Sequence, residues 1–271
     1  MTYEEFFGLT EQPFSNAVDE KFYFKSEQHE KATIRMIHAI DTMKGLAVMI
    51  GESGIGKSLL ARKIVIDELD DMDIYEAGLL IVVHTDITAD WILKKIALQM
   101  GVEEPSDNKL MIIKQLFERL IEIHEEGRKA VLLIDEANML KKKEIMEELR
   151  GLLNLEVPGK KLLTIILIGI PELEGNLKSD PALAQRVALK FVLGALKKEE
   201  VKKYITHRLT IAGCTKEIFT PDAYENIFTH SKGIPRIINT ICDNCLLEGF
   251  LLKKQLIDAQ LVEDVAIGLG V

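Results

Sequence analysis

Leu46-Ala47-Val48-Met49-Ile50-Gly51-Glu52-Ser53-Gly54-Ile55-Gly56-Lys57-Ser58-Leu59-Leu60-Ala61-Arg62 decides how the rest of this chain is read. Leu46 to Ile50 is an unbroken apolar run, the pattern of a strand buried on both faces. Leu59 to Val65 reads as the start of a helix. Between them, Gly51 to Ser58 fits G-x-x-x-x-G-K-[ST], and strand-turn-helix is the setting in which that spacing carries a mechanism. The glycines let the backbone curl so that successive N–H groups point at phosphate oxygens. The helix N-terminus adds partial positive charge. Glu52, Ser53, Gly54, Ile55, Gly56, Lys57, Ser58 and Leu59 therefore form a candidate phosphate cradle. Lys57 is placed to reach the β- and γ-phosphates, and the Ser58 hydroxyl to ligand Mg2+.

A second motif answers the first. Ala130-Val131-Leu132-Leu133-Ile134 reads as a buried strand running straight into Asp135-Glu136. A parallel sheet sends its strand C-termini to one edge, where ligands bind. Asp135 is then expected to share the Mg2+ with Ser58, and Glu136 to polarise the attacking water. Phosphoryl transfer of this kind needs positioning and charge stabilisation more than covalent help. One more cation near the γ-phosphate is wanted, and Arg186, Arg236 and Arg150 are the candidates outside the loop.

Outward from these motifs, Leu79–Val83, Leu162–Ile168 and Val187–Val192 read as further strands. Helical spacing marks residues 28–43, 88–100, 109–126 and 142–155. Continuous apolar strands alternating with helices predict an α/β fold, a five-stranded parallel sheet between helices. From Lys197 onward the strands stop. Residues 197–212, 222–230, 236–253 and 258–267 read as helices, with Thr220-Pro221 and Asp258 as start signals. The expected organisation is an N-terminal arm and nucleotide-binding domain over residues 1–194 and a small all-α lid over 195–271. Before the first strand stand Phe6, Phe7, Phe14, Phe22, Tyr23 and Phe24. They either pin the arm onto the core or wall an adenine pocket. Phe14 and Tyr23, with His29 of the first helix, are the residues for the second reading.

Composition narrows the classes. The chain has 271 residues, 47% hydrophobic and 28% charged, with a net charge of −9 and three cysteines. No apolar run approaches the roughly 20 residues that span a bilayer. Met1 to Phe14 lacks a basic start followed by an apolar stretch, so no leader is expected. An odd cysteine count without framework spacing suits a reducing compartment and a cytoplasmic location. The acidic balance opposes strong non-specific nucleic-acid binding. Cys242-Asp243-Asn244-Cys245 reads as core packing, because a zinc site needs about four ligands. Lys141 to Lys143, Lys197-Lys198 with Lys202-Lys203, and Lys253-Lys254 are basic clusters that either solvate helix faces or line a polyanion channel. Trp91 reads as helix packing.

These pieces together resemble the AAA+ ATPases, and more narrowly their general secretion pathway protein A group. The matching stretches are Phe6-Phe7-Gly8-Leu9, Pro13-Phe14, His29 to Ile40, Asp135-Glu136-Ala137 and Leu152-Leu153-Asn154-Leu155-Glu156. They continue in Gly169-Ile170-Pro171-Glu172-Leu173, Gln185-Arg186, Gly233-Ile234-Pro235-Arg236-Ile237-Ile238-Asn239 and Cys242-Asp243. The resemblance implies ATP with Mg2+, a homo-oligomeric ring or filament with ATP between subunits, and ATP hydrolysis serving secretion or pilus machinery through an envelope partner. It implies Arg186 as the finger reaching a neighbour's γ-phosphate and Arg236 as a sensor of the subunit's own nucleotide.

Three departures accompany it. The first-sensor position, usually Gln, is Ile170, which offers no side-chain hydrogen bond. The second strand ends in His84-Thr85 rather than Asn-Pro. The chain stops after the lid, so neither a membrane span nor a cell-wall-binding domain is expected. Two other readings compete: a regulatory ATPase of the transposition-regulator or initiator type assembling on DNA, and a nucleotide-gated scaffold without hydrolysis.

Overall fold

In the computed structural model, which describes residues 2–271, the chain runs α1 (Tyr3–Phe7), α2 (Glu27–Asp41), β1 (Leu46–Ile50), α3 (Lys57–Lys63), β2 (Tyr75–Ile81), α4 (Ala89–Gln99), α5 (Lys109–Glu125) and β3 (Lys129–Asp135). It continues through α6 (Lys143–Leu152), β4 (Glu156–Val157), β5 (Lys160–Lys161), β6 (Leu163–Gly169), α7 (Glu172–Lys178), α8 (Pro181–Ala184) and β7 (Val187–Val192). Helices α9 (Lys198–Ile211), α10 (Pro221–Ser231), α11 (Pro235–Leu251) and α12 (Ala259–Leu269) complete it. Two compact units result: Glu27–Glu52 with Leu60–Leu193, and Met1–Ser26 with Ser53–Leu59 and Gly194–Val271.

The first unit is built on a five-stranded sheet of order β2-β3-β6-β1-β7, parallel throughout. Strands β1 and β6 are buried at every position, as their apolar runs require. Because the strands are parallel, Ile50, Asp135 and Gly169 end on the same edge. There the Gly51 N–H donates to the Gly169 carbonyl at 3.1 Å, which ties the first residue of the glycine-rich stretch to the end of β6.

The expected elements shift in instructive ways. Strand β2 begins at Tyr75, four residues before the apolar run. It is an edge strand, and its first residues are held by polar contacts. The Tyr75 hydroxyl donates to Asp41 at 2.8 Å, and Glu76 accepts from Arg119 at 2.9 Å and Arg128 at 2.7 Å. Helix α3 ends after two turns and passes into a single wide turn over Ile64–Glu68. The helix expected over 142–155 stops at Leu152. Beyond it Pro158-Gly159 reverses the chain into the small β4–β5 hairpin.

The second unit packs the four C-terminal helices around Ile205, Ile227, Ile238, Ile241, Leu246 and Val262, and Phe7, Phe14 and Phe22 from the start of the chain lie in the same core. Thr220 caps α10 by accepting from the Ala223 N–H, with Pro221 in the first turn, and Asp258 caps α12 by accepting from the Leu261 N–H. The buried Arg208 guanidinium fastens the arm. It donates to the Pro13 and Ser15 carbonyls and to the Tyr204 hydroxyl, and lies 4.7 Å from the Phe22 ring centre. Cys242 and Cys245 are fully buried in this core, as core packing predicts.

Candidate functional site

The site residues fall in two places, one in each unit. In the helical unit, Ser53 to Leu59 form the curl of the glycine-rich loop. Gly54 and Gly56 take left-handed φ values of 81° and 99°, a region open to glycine at little cost. Ile55 is buried at 2% exposure, and Lys57 at 5%. Ser53 is exposed, and Gly54, Gly56, Ser58 and Leu59 are half-buried.

Arg236 meets this loop directly. Its backbone N–H donates to the Gly54 carbonyl at 3.1 Å, and its guanidinium Nη1 donates to Ser53 Oγ at 3.2 Å. A Cβ on Gly54 would stand 2.7 Å from the Arg236 Cβ, so only glycine permits the approach. Pro235 at the start of α11 brings Arg236 into that helix's first turn. The structure therefore joins Arg236 to Ser53 and Gly54, a cation at the rim of the glycine-rich loop.

In the α/β unit, β3 ends at Asp135, which is 2% exposed. Its Oδ1 accepts the N–H of Glu136 at 2.9 Å. Glu136 adopts φ 54° and ψ 35°, left-handed and unusual for a residue with a side chain. Such a conformation costs of order 1–3 kcal/mol and persists only where its surroundings over-determine it. A tight turn over Ala137–Met139 follows.

Asn138 in that turn escaped the sequence reading. It is 3% exposed; its Oδ1 accepts the Ile170 N–H at 3.2 Å, and its carbonyl accepts from Asn176 Nδ2 at 2.8 Å. A polar residue two places after an acidic pair carries no signal of its own, because its partners lie more than thirty residues on. The Ile170 backbone takes part here although its side chain cannot.

The remaining candidates separate by their partners. Arg150 Nε lies 3.0 Å from Asp180 Oδ2, an ion pair in which neither atom has an aligned hydrogen bond. Asp180 is 4% exposed, and its Oδ1 caps α8 by accepting from the Leu183 N–H. Arg186 donates through Nη1 to the Arg150 carbonyl at 3.1 Å and stays half-exposed. Phe14, at 1% exposure, lies inside the helical core, and the Tyr23 carbonyl faces His207 Nε2 at 3.1 Å. The lead-in aromatics Phe7, Phe14 and Phe22 thus pin the arm onto the helical unit. His29 is buried in α2, and its carbonyl accepts from Thr33 Oγ1. His84 packs against Trp91, with ring centres 5.7 Å apart.

A family model described as an AAA domain matches residues 40–177. General secretion pathway protein A of Aeromonas hydrophila is 34% identical over 251 residues, covering 92% of this chain and 45% of that protein. The chain therefore spans about half the length of the curated relative it matches. Among solved structures, the Aeropyrum pernix ORC2 protein in ADPNP-ADP complexes superposes with a TM-score of 0.67 at 16% identity, over 94% of this chain and 71% of that one. Drosophila ORC bound to DNA gives 0.70 at 16% identity, over 99% and 66%. At such identity the structural likeness speaks for the fold alone.

Proposed function

Since this chain belongs to the AAA ATPase family, we propose that it binds ATP with Mg2+ on the Gly51–Ser58 loop, hydrolyses it, and uses the cycle to drive or switch an envelope assembly of the secretion type. The observation that carries the hydrolytic half is Glu136, held left-handed directly behind a buried Asp135 at the ligand-binding edge of a parallel sheet. A carboxylate kept in a costly backbone conformation beside a metal-ligand candidate is an arrangement for chemistry rather than for packing.

In this reading Glu136 accepts a proton from water as the water oxygen bonds to the γ-phosphorus. The bond to the β–γ bridging oxygen breaks, and ADP leaves with that electron pair. Lys57 and the loop amides bind the phosphates. Among the described residues no group of three or more His, Cys, Asp or Glu could hold a metal unaided. Mg2+ takes one or two protein ligands and completes its shell with phosphate and water. The buried Asp135 carboxylate and the Ser58 hydroxyl would hold the ion. Bound there, Mg2+ would neutralise charge developing on the phosphates.

Arg236, already on Ser53, reads the subunit's own nucleotide and couples residues 195–271 to it. Arg186 serves a neighbour in a ring or filament: Arg150 is paired with the buried Asp180 carboxylate, whereas Arg186 donates to a neutral carbonyl. The likeness to general secretion pathway protein A supports a role in secretion, and in this reading the ATPase is cytoplasmic and acts through an envelope partner. No helix among the described residues is long and apolar enough to cross a membrane. A DNA-borne assembly is less well supported. Lys141, Lys142, Lys143, Lys198, Lys202 and Lys254 each lie within 4.0 Å of a carboxylate, which lowers the positive charge these clusters present to a polyanion.

Phosphate release from ATP and Mg2+ tests the reading. The parent should turn over, and Glu136→Gln should bind ATP, hydrolyse it at least about 100-fold more slowly and stabilise the oligomer. Hydrolysis by that variant at the parental rate would remove Glu136 from its role.

A further inference from the structure

We propose that Asn138 is the positioning residue that fixes Glu136, by bolting the turn behind it to the end of β6. This rests on the hydrolytic reading of Glu136. Glu136 needs support because its backbone sits in the left-handed region. Upstream, support comes from Asp135 Oδ1, which accepts its N–H. Downstream, the Glu136 carbonyl accepts the Met139 N–H at 2.9 Å, and the Ala137 carbonyl accepts the Leu140 N–H at 3.1 Å. These bonds shape the turn but do not anchor it to the sheet.

Asn138 supplies the anchor twice over. Its side-chain oxygen accepts the Ile170 N–H, the first amide after β6. Its main-chain carbonyl is held by Asn176 from α7. The fit is close, for a Cβ on Gly169 would come 2.7 Å from Asn138 Oδ1 and 3.2 Å from Asn138 N. The missing side chain at Gly169 is thus what lets the carboxamide reach Ile170. Glu136 stands between two fixed points, the last residue of β3 and a clamp on the first amide after β6. The side chain of Ile170 contributes no polar group, and the backbone tie through Asn138 is how the end of β6 bears on Glu136. Losing the carboxamide frees the turn to relax out of its costly conformation, which misplaces the carboxylate.

A purely structural Asn138 would affect folding and every activity together. A positioning Asn138 affects kcat alone, and only through Glu136. The test therefore takes Asn138→Ala, Glu136→Gln and the double variant, with steady-state and single-turnover ATPase rates, affinity for a fluorescent ATP analogue, and thermal melting. Asn138→Ala should lose about tenfold or more in kcat while its analogue affinity stays within about threefold. In the Glu136→Gln background it should cost nothing further. Asn176→Ala, which removes only the main-chain tie, should show a smaller loss in the same direction.

Parental kcat in Asn138→Ala overturns the proposal. So does a loss that adds fully to that of Glu136→Gln, or one matched by equal losses of affinity and melting temperature. Should Asn138→Ala fail to fold, Asn176→Ala decides, and parental kcat there overturns the proposal. A parent protein that does not hydrolyse ATP defeats the hydrolytic reading and this inference with it. An active parent silenced by Glu136→Gln but indifferent to Asn138 defeats the inference alone.

Discussion

Gly54→Ala puts the loop geometry to a quantitative test. At φ 81° an alanine pays roughly 1–2 kcal/mol for the left-handed conformation. Its Cβ would sit 2.7 Å from the Arg236 Cβ, which is close to the backbone and cannot swing aside as a side-chain tip could. The first turn of α11 must move, and the bond from the Arg236 N–H to the Gly54 carbonyl goes with it, worth about 1 kcal/mol. Together about 2–3 kcal/mol is charged to the curled loop. Without nucleotide the loop can relax, so the cost falls on binding, which re-imposes the curl. At about 1.4 kcal/mol per factor of ten, affinity for ATP or ADP should weaken by roughly 30- to 150-fold. Gly159→Ala is the control. Its φ is 78°, yet an added Cβ there meets nothing within 4 Å, so it bears the backbone strain without the collision and lies outside the loop. Fluorescent-nucleotide titration of both variants decides the matter. Gly54→Ala binding within about threefold of the parent, like Gly159→Ala, would refute the loop geometry.

Arg208→Met should cost about 3 kcal/mol, because one buried and one part-buried carbonyl lose their donor and only part is regained by not burying a guanidinium. A fall of roughly 6–12 °C in melting temperature, with earlier proteolysis inside residues 2–26, is expected; an unchanged melt would show that the arm is held otherwise. The three cysteines are buried, and burial, then the neighbouring Cys245, pushes the Cys242 thiol well up, while burial brings the Cys245 thiol up to about 12. Native protein at pH 8 should leave a thiol reagent unreacted until denaturant is added, and prompt stoichiometric labelling of either residue would contradict the packing. Burial, then the hydrogen bond to Asp41, pushes the Tyr75 hydroxyl up to about 12. Its folded value exceeds the unfolded one, so its contribution is complete below about pH 10 and is lost as pH rises towards 12. Tyr75→Phe should flatten that part of the alkaline melting profile, and an identical slope in both proteins would count against the Tyr75–Asp41 pair.

What could be read in the sequence follows from where the information sits. Strands β1 and β6 were legible because burial on both faces leaves no room for polar residues. The onset of β2 was not, since Tyr75-Glu76-Ala77-Gly78 is held by partners from α2 and α5 and by its edge position, none of which a local window contains. Helix α1 carried a signal that went unused: Thr2 and Glu5 form a reciprocal cap, the spacing that marks a helix start. Pro158-Gly159 likewise announced the β4–β5 turn. The glycine-rich loop and Asp135-Glu136 were recognisable because their chemistry dictates spacing. Asn138 was not, because its role depends on Gly169 having no side chain and on the Ile170 amide being free of the sheet.

The tie between Tyr3 and Asp243, a 2.9 Å hydrogen bond across 240 residues, sets an order of events during synthesis. Phe7, Phe14 and Phe22 leave the ribosome early, but the helices that shelter them are made last. Residues 27–193 have their whole sheet available by then and can settle while the arm waits, its aromatics uncovered. Chaperone capture of nascent chains should accordingly concentrate on those three phenylalanines and fade once α11 has emerged.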